Sequence, residues 1–491
     1  MSLHVSKDYE LFKQNISKIL EEVTKKRYEI LEPTKDEMVN VYEIIIDFIK
    51  QIKRKVYGGF ALNAIVKDKN KNDAIYSEID MPDIDFYSPE PILDLMKLCN
   101  ILYDKGFKTV IGQEAMHKET YSVYVNQNLY CDISYVPRNI YNKMPFKEIN
   151  GINYIHPHFM MIDYLRMITD PMISYWRIEK VFNRFIILQK NYQLPTNNSP
   201  IDIIGSNNNL DYALDIMYKF LLNRKTTALI GFYAYNFYLN KSGILSEKKK
   251  NLKILDVPYY EMISTNYRDD ARELISLLKK NCVGKIKDIE YYPFFQLTGF
   301  SVEIFLDNDL IARIYNHNKR CIPFFDINAE RFYNNKVEYD SKNKIRIGTY
   351  MLTFLFALIQ VMISRTNDDN DTKNLQYTIM SHMIEYRNYF FETNKKNIFD
   401  DTIFKDFVID CMGDTIEPAR EKRIINALKK KQNKRYNFRY EPEIERKEPE
   451  TNFVFTNSSG NPIRKDNNKK LLDIITDEDI YQIEEDEDDK K

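Results

Sequence analysis

An α+β fold, built once in working order and again in degenerate form, is what this sequence predicts. Three observations carry the prediction. A glycine turn, Gly58-Gly59, precedes a segment bearing two aspartates, "DID" at 83–85. A later strand-like stretch, "YCDISYV", carries a third carboxylate, Asp132. The same order of features recurs, altered, in the second half of the chain.

Residues 8–30 and 35–53 show helical periodicity with charges on their outer faces, and Pro33 and Thr34 supply the break and the N-cap between them. Val56 and Tyr57 end a short strand, Gly58-Gly59 turns the chain, and a helix starts at Phe60. Residues 67–78 are a polar Lys/Asn-rich loop. "IDMPDIDFYS" reads as a strand in which Ile84 and Phe86 alternate with Asp83 and Asp85. An amphipathic helix at 92–105 follows. "YSVYVNQNLYCDISYV" is a hairpin turning at Asn126-Gln127-Asn128. From about residue 155 helices dominate.

Four segments of the first half are echoed in the second, in the same order. "GGFALN" (58–63) is answered by "GFYAYN" (231–236), and "DMPDIDFYS" (80–88) by "DVPYYEMIS" (256–264). "YSVYV…LYCDIS" is answered by "FSVEI…LIARIY", which sets Arg313 against Asp132. "FMMIDYL" (159–165) is answered by "YMLTFLF" (350–356). In this alignment Tyr259 stands for Asp83 and Glu261 for Asp85. A Tyr and an Arg cannot hold two divalent ions, so the second copy is expected to be catalytically dead. It would serve as scaffold, RNA platform or dimer surface.

The composition sets bounds. A chain of 491 residues allows two or three domains. The net charge is −1, so any nucleic-acid surface must come from local clustering. Cys99, Cys131, Cys282, Cys321 and Cys411 form no CxxC pair. A zinc site or disulfide framework is therefore not expected, and the pattern suits a reducing compartment. The N-terminal residues lack the apolar core of a signal peptide. The longest apolar run, 348–363, falls short of the roughly 18–20 residues that cross a bilayer and reads as a buried helix. A soluble protein without membrane contact is expected.

The chemistry centres on the carboxylates. Two aspartates on one strand face repel unless a cation lies between them, and hard divalent ions with oxygen ligands suit the place. Asp132 on a neighbouring strand would complete a trio able to hold two Mg²⁺ roughly 3.5–4 Å apart, the arrangement that clamps in-line phosphoryl transfer. The Gly58-Gly59 turn lets backbone N–H groups approach a triphosphate at the start of a helix. Arg177 and Lys180, spaced i, i+3, are candidates for neutralising that triphosphate, or else an ordinary charged helix face.

"YGG", "PDIDFY" and "CDISY" together resemble the polymerase-beta-like nucleotidyltransferase superfamily, whose pattern is hG[GS], Dh[DE]h and a third carboxylate. The separation of Gly59 from Asp83 is longer than most of that superfamily allows, and 67–78 looks like the insertion. More narrowly, "YGGFALN", "DMPDIDFY", "HPHFMMIDYLR…YWRIEKVFNR" and the degenerate second copy look like the poxvirus-type poly(A) polymerase catalytic subunit and its relatives in giant DNA viruses. The resemblance spans roughly residues 50–365. It implies AMP transfer from ATP to an mRNA 3′ end without a template, with Mg²⁺ or Mn²⁺ held by Asp83, Asp85 and Asp132. It also implies action in the cytoplasm, in a viral factory or virion, with a processivity subunit or as a homodimer.

The expected layout is N-terminal helices (1–52), a catalytic nucleotidyltransferase domain with following helices (53–200), a degenerate copy (201–415), a basic segment (416–440) and a disordered acidic tail (441–491). In the basic segment Lys429, Lys430 and Arg435 are RNA-backbone candidates, with Tyr436, Phe438 and Tyr440 interleaved for stacking; a plain solvated helix is an equal reading. Lys248, Lys249 and Lys250, like Lys279 and Lys280, could track RNA phosphates on the second copy. His156 and His158 lack a third nitrogen or sulfur ligand, so Pro157 is read as a turn into a helix. Trp176, the single tryptophan, is read as core.

Three other functions compete. A CCA-adding or uridylating enzyme would share the site. A DxD glycosyltransferase would explain neither the glycine turn nor the second copy. A non-catalytic RNA-binding scaffold would have no reason to keep the first triad intact beside a broken second one.

Overall fold

The computed structural model describes residues 6–446 except 32–33, 78–79, 116–118, 203–207, 248, 250, 295–296, 319, 334 and 414–437. Helices α1 (Ser6–Leu31) and α2 (Lys35–Ile52) come first. The Thr34 hydroxyl accepts from Glu37 N–H at 3.2 Å, which caps α2 as the sequence suggests. Strand β1 (Lys55–Tyr57) runs straight into α3 (Gly58–Lys69). Then come β2 (Ile84–Ser88), α4 (Pro91–Asp104), β3 (Val110–Glu114), β4 (Thr120–Val125), β5 (Asn128–Tyr135), α5 (Arg138–Lys143), β6 (Phe146–Ile149) and β7 (Ile152–Ile155). Helices α6 (Pro157–Ile168), α7 (Pro171–Ser174) and α8 (Ile178–Asn191) close the first half.

The second half opens with α9 (Asn208–Leu221), β8 (Thr227–Ile230) and α10 (Gly231–Ser242). It continues with β9 (Tyr260–Ser264), α11 (Tyr267–Asn281), β10 (Ile286–Tyr291), β11 (Ser301–Leu306), β12 (Asp309–Asn316), β13 (Cys321–Tyr333) and β14 (Lys336–Gly348). Helices α12 (Tyr350–Thr366) and α13 (Asn370–Asn394) follow, then the short strands β15 (Cys411–Gly413) and β16 (Arg439–Tyr440). Helices thus dominate only from α6 to α9, not throughout the chain beyond residue 155.

Two sheets result, and seven strands of each follow the same plan, with β16 added beside β3 in one and β15 beside β13 in the other. One runs β16-β3-β4-β5-β2-β1-β7-β6 and the other β10-β11-β12-β9-β8-β14-β13-β15. Strand directions agree as well: β1–β2 and β8–β9 are antiparallel, β2–β5 and β9–β12 parallel. Even the irregularity recurs, because a register shift after Val123 matches one after Ile304.

Side chains repeat the plan. Gly58 and Gly231 open the two equivalent helices at φ +75° and +61°, conformations that L side chains rarely adopt. Asn63 accepts from Ile75 and Tyr76 N–H with one carboxamide oxygen, and Asn236 accepts from Leu255 N–H in the same way. Ser88 donates to Asp94 at 2.5 Å, as Ser264 does to Asp270 at 2.6 Å. Each aspartate is clamped by an arginine, Arg54 at 2.6 Å and Arg224 at 2.7 Å.

The first strand of the third echo is out by two residues, because Ser122 pairs with Asp132 and Glu303 with Arg313, so Ser122 corresponds to Glu303 and not to Ser301. The fourth echo is out by two residues as well. Val56 pairs with Tyr154 and Leu229 with Ile347, so Tyr154 corresponds to Ile347. His156 and Thr349, the N-caps of α6 and α12, share that offset. An apolar helix face matches itself in several registers, whereas strand pairing permits one.

Other expectations change too. Helix α12 carries the long apolar run and is buried along nearly its whole length. Among the described residues no helix is long and apolar enough to cross a membrane. Cys321 and Cys411 are joined by a disulfide between β13 and β15, with Cα atoms 5.4 Å apart, so the cysteine pattern was misread: strand pairing brings together residues 90 apart. Residues 67–77 are no loose loop, and residue 78 lies outside the described residues. Helix α3 extends to Lys69, and Asp73 is held by Lys190 and Asn191 of α8.

Candidate active site

Site geometry begins with β2. Ile84 and Phe86 are fully buried on one face, which fixes the strand's orientation and turns Asp85 to the other. Burying two such side chains is worth about 1.5–3 kcal/mol each. Asp83 lies one residue ahead of the strand and is exposed, not within the strand as the sequence pattern suggests. The loop before it is tethered by the Tyr42 hydroxyl of α2, which donates to the Pro82 carbonyl. Strand β5 lies parallel beside β2 with Asp132 directly opposite Asp85. Cys131 and Ile133, both fully buried, anchor β5 as Ile84 and Phe86 anchor β2.

The three carboxylates converge: each offers an oxygen, and these atoms lie within 4.8 Å of one another. Ser122 on β4 donates to Asp132 at 2.5 Å and fixes its rotamer. Burial first, then the charges of Asp83 and Asp132, hold the Asp85 carboxyl well above the ordinary range, while Arg177 and Arg184 work against that rise. The two arginines compensate that burial and repulsion only in part, and a hard oxygen-ligated cation could supply the rest.

Gly58 and Gly59 each have a reason to lack a side chain. At Gly58 a Cβ would lie inside contact distance of Asp85 Oδ2, so the start of α3 touches the carboxylate cluster. At Gly59 a Cβ would collide with the Tyr76 hydroxyl and press on the Arg184 guanidinium. Arg184 donates to that hydroxyl at 2.7 Å. The first N–H groups of α3, its dipole and Arg184 therefore point at one place beside the carboxylates.

Arg184 was missed at the sequence level. Arg177, Lys180 and Arg184 are spaced i, i+3, i+7, one stripe along α8, and that spacing was the available signal. Arg177 itself sits in a 3₁₀ turn just ahead of α8 rather than within it. Arg184 and Arg177, together with partial burial, lower the proton affinity of Lys180 against the pull of Asp83 and Asp85. The stripe and the carboxylates thus face each other.

Other candidates are placed differently. Trp176 is 63% exposed and Tyr175 71% exposed, so tryptophan is not core here; the turn before α8 holds both rings outside the packed layers. His156 caps α6 and Pro157 occupies its first turn, as expected. Lys249 is taken up by an ion pair with Glu385 at 2.5 Å, whereas Lys248 and Lys250 lie outside the described residues. Lys429, Lys430, Arg435 and Tyr436 also lie outside them. Phe438 packs edge-on against Tyr121, and buried Tyr440 donates to Asn100 at 2.5 Å. Both aromatics are committed to the edge of the first sheet, where β16 pairs with β3, and are not free to stack on bases. Arg446 pairs with Asp104 at 2.5 Å, so the described chain stays docked to residue 446.

In the second copy Arg313 occupies the place of Asp132, opposite Glu261. Its guanidinium reaches Glu261 at 3.3 Å and Glu303 at 2.6 Å, and Tyr315 donates to Glu261 at 3.1 Å. Phe232, buried, stands where Gly59 stands in the first copy.

A glycine-opened helix, a carboxylate pair and a third carboxylate on the adjacent parallel strand define a polymerase-beta-like nucleotidyltransferase fold. The relatives narrow the class. The family model "Poly(A) polymerase catalytic subunit" matches residues 43–174, and a second, for the C-terminal part of the putative mimivirus catalytic subunit, matches 188–473. A putative poly(A) polymerase catalytic subunit of Acanthamoeba polyphaga mimivirus is 36% identical over 99% of this chain and 88% of its own length. One from African swine fever virus is 30% identical over 61% of this chain and 58% of its own length. The crystal structure of the Megavirus polyadenylate synthase superposes with a TM-score of 0.77 at 33% identity, covering 96% of this chain and 94% of that one. The chain belongs to the poly(A) polymerase catalytic subunit family, whose members are enzymes.

Proposed function

We propose that this chain transfers AMP from ATP to the 3′-hydroxyl of RNA without a template, and that Asp83, Asp85 and Asp132 hold the divalent ions, Mg²⁺ or Mn²⁺, the reaction needs. The observation that carries the reading is the convergence of the three carboxylates beside the glycine-opened start of α3. Bound there, two such ions would neutralise the triphosphate and make the 3′-hydroxyl more acidic.

The chain's own groups do the rest. Backbone N–H groups of Gly58, Gly59 and Phe60 cradle the β- and γ-phosphates. Arg184 and Lys180 neutralise charge that builds on the departing pyrophosphate. Asp132, held by Ser122, orients the attacking hydroxyl and accepts its proton. Tyr42 keeps Asp83 close to the other two acids by holding the Pro82 carbonyl. The family's occurrence in large DNA viruses supports a cytoplasmic site of action, in a viral factory or virion.

The test is incorporation. Full-length chain, a 3′-hydroxyl RNA and each NTP supplied separately with Mg²⁺ or Mn²⁺ should give extension with ATP alone. Asp83→Ala/Asp85→Ala should give none. Extension by CTP or UTP instead would move the chain to a CCA-adding or uridylating activity, and no extension by wild type would end the proposal.

A further inference from the structure

We infer that Tyr175 and Trp176 form a stacking platform for the bases of the RNA primer near its 3′ end. This rests on the nucleotidyl-transfer reading above and adds a site to it.

The two rings sit in the 3₁₀ turn Tyr175–Arg177, centroids 5.3 Å apart at 85°, and more than half of each is exposed. A large exposed aromatic pair needs an explanation, because tryptophan and tyrosine gain most when covered. The next residue supplies the address. Arg177 heads the basic stripe that runs through Lys180 to Arg184, whose guanidinium lies against Gly59, next to the glycine that abuts the Asp85 carboxylate. The platform therefore stands at the head of a stripe whose other end reaches the carboxylate cluster.

Position along that stripe separates the two substrates. Arg184 lies against Gly59, at the phosphate cradle. Arg177 is seven residues earlier on the same side, roughly 10 Å away at 1.5 Å rise per residue. Mutually perpendicular rings offer faces in two directions, which successive bases of a flexible single strand can use and one mononucleotide cannot. Openness argues the same way: neither ring is walled into a pocket that would enclose an adenine. Aromatic faces accept any base, as an RNA end of varied sequence requires, and flanking cations take its phosphates.

Trp176 is the single tryptophan, so emission excited selectively at tryptophan, where tyrosine does not absorb, reports on this site alone in the unmodified full-length protein. A mixed-sequence single-stranded oligoribonucleotide with a 3′-hydroxyl, added without ATP, should quench that emission saturably. ATP with Mg²⁺ and no RNA should leave it unchanged. In extension assays Trp176→Ala should raise KM for RNA about tenfold, the usual scale for one lost base–aromatic stack. KM for ATP should stay put, and Trp176→Phe should restore most of the loss. Quenching by ATP alone, no quenching by RNA, or an unchanged RNA KM in Trp176→Ala would overturn the inference. Should the alanine variant not fold, the wild-type emission still decides it. If wild type quenches with RNA yet extends nothing, the transfer reading has failed and the platform stands.

Discussion

The two halves of this chain hold the same pair of parallel strands and fill the space between them in opposite ways. In the first, Asp85 and Asp132 face each other with Asp83 near by, a concentration of negative charge that Arg177 and Arg184 offset only in part and that could hold a cation. In the second, Glu261 faces Arg313, and the relieving charge is covalently part of the fold. Burial alone would ease the proton off Arg313, but Tyr315, Tyr259, Glu261 and Glu303 together hold it on more firmly than usual. Tyr259 lies under that guanidinium, 5.4 Å from the ring centroid, where Asp83 would be. Tyr259 for Asp83, Glu261 for Asp85 and Arg313 for Asp132 thus replace a cluster of acids that could hold a cation with an ion pair that carries its own positive charge.

The largest contrast should appear in activity. Asp85→Ala should lower the rate of RNA extension on the order of a thousandfold or more, because residues that act as a unit fail together. Glu261→Gln, the matching change in the second copy, should leave the rate within about threefold. Its cost should appear in thermal unfolding, since Arg313 keeps only Glu303 as a charged partner. A second-copy variant that abolished extension while folding normally would break the contrast.

Next comes stability. Arg313→Asp, made in an Asp83→Ala/Asp85→Ala background so that the first site cannot bind, places three acids where the second copy now has an ion-pair network. Breaking such a buried pair costs about 3–5 kcal/mol, so the melting temperature should fall by several degrees. Mn²⁺ should recover part of the fall in this variant and none in the parent. A variant as stable as its parent would mean Arg313 is not the substitute for a metal.

The opening glycines give a third, smaller test. Gly58→Ala forces a Cβ into the left-handed region and into Asp85, and should abolish extension as well as cost about 1–2 kcal/mol of backbone strain. Gly231→Ala meets the same strain against Glu261 and should lower the melting temperature with extension intact. Measuring both quantities for both variants separates cradle from scaffold.

What the sequence disclosed follows the same division. The carboxylates, the glycine turn, two of the echoes and the Asp132–Arg313 half of a third were legible because strand alternation and tight turns impose local residue patterns. Arg184 was not, although its spacing from Arg177 and Lys180 was in plain view, because the docking of α8 over α3 is a tertiary fact. Trp176 was misread for a related reason: residue type argues for burial, and only the 3₁₀ turn before α8 decides against it. Tyr440 reaches Asn100 across most of the chain, a pairing no local pattern encodes. Cys321 and Cys411 meet for the same reason, through β15 returning to β13.

The smallest difference between the copies is a helix cap that titrates in one and not in the other. His156 caps α6 by accepting from His158 N–H through Nδ1 at 3.2 Å, and Thr349 caps α12 by accepting from Leu352 N–H at 3.4 Å. An imidazole nitrogen accepts only while it is unprotonated. Burial, then His158, Arg365 and Lys147, push the His156 pKa down to about 4. The unfolded chain, at its ordinary value near 6.5, takes up the proton first. Stability from this residue is therefore complete above about pH 6.5 and is lost as the pH falls toward 4. His156→Thr installs the second copy's cap in the first. It should leave urea denaturation at pH 7.5 nearly unchanged and reduce the loss of stability between pH 7 and 4.5 by about 2–3 kcal/mol, the linkage set by a pKa lowered from 6.5 to about 4. His158 and His382, whose basicity burial also lowers, should account for part of what remains. If His156→Thr and wild type lose stability in parallel as acid is added, the cap carries no proton linkage and the two copies are equivalent at this position.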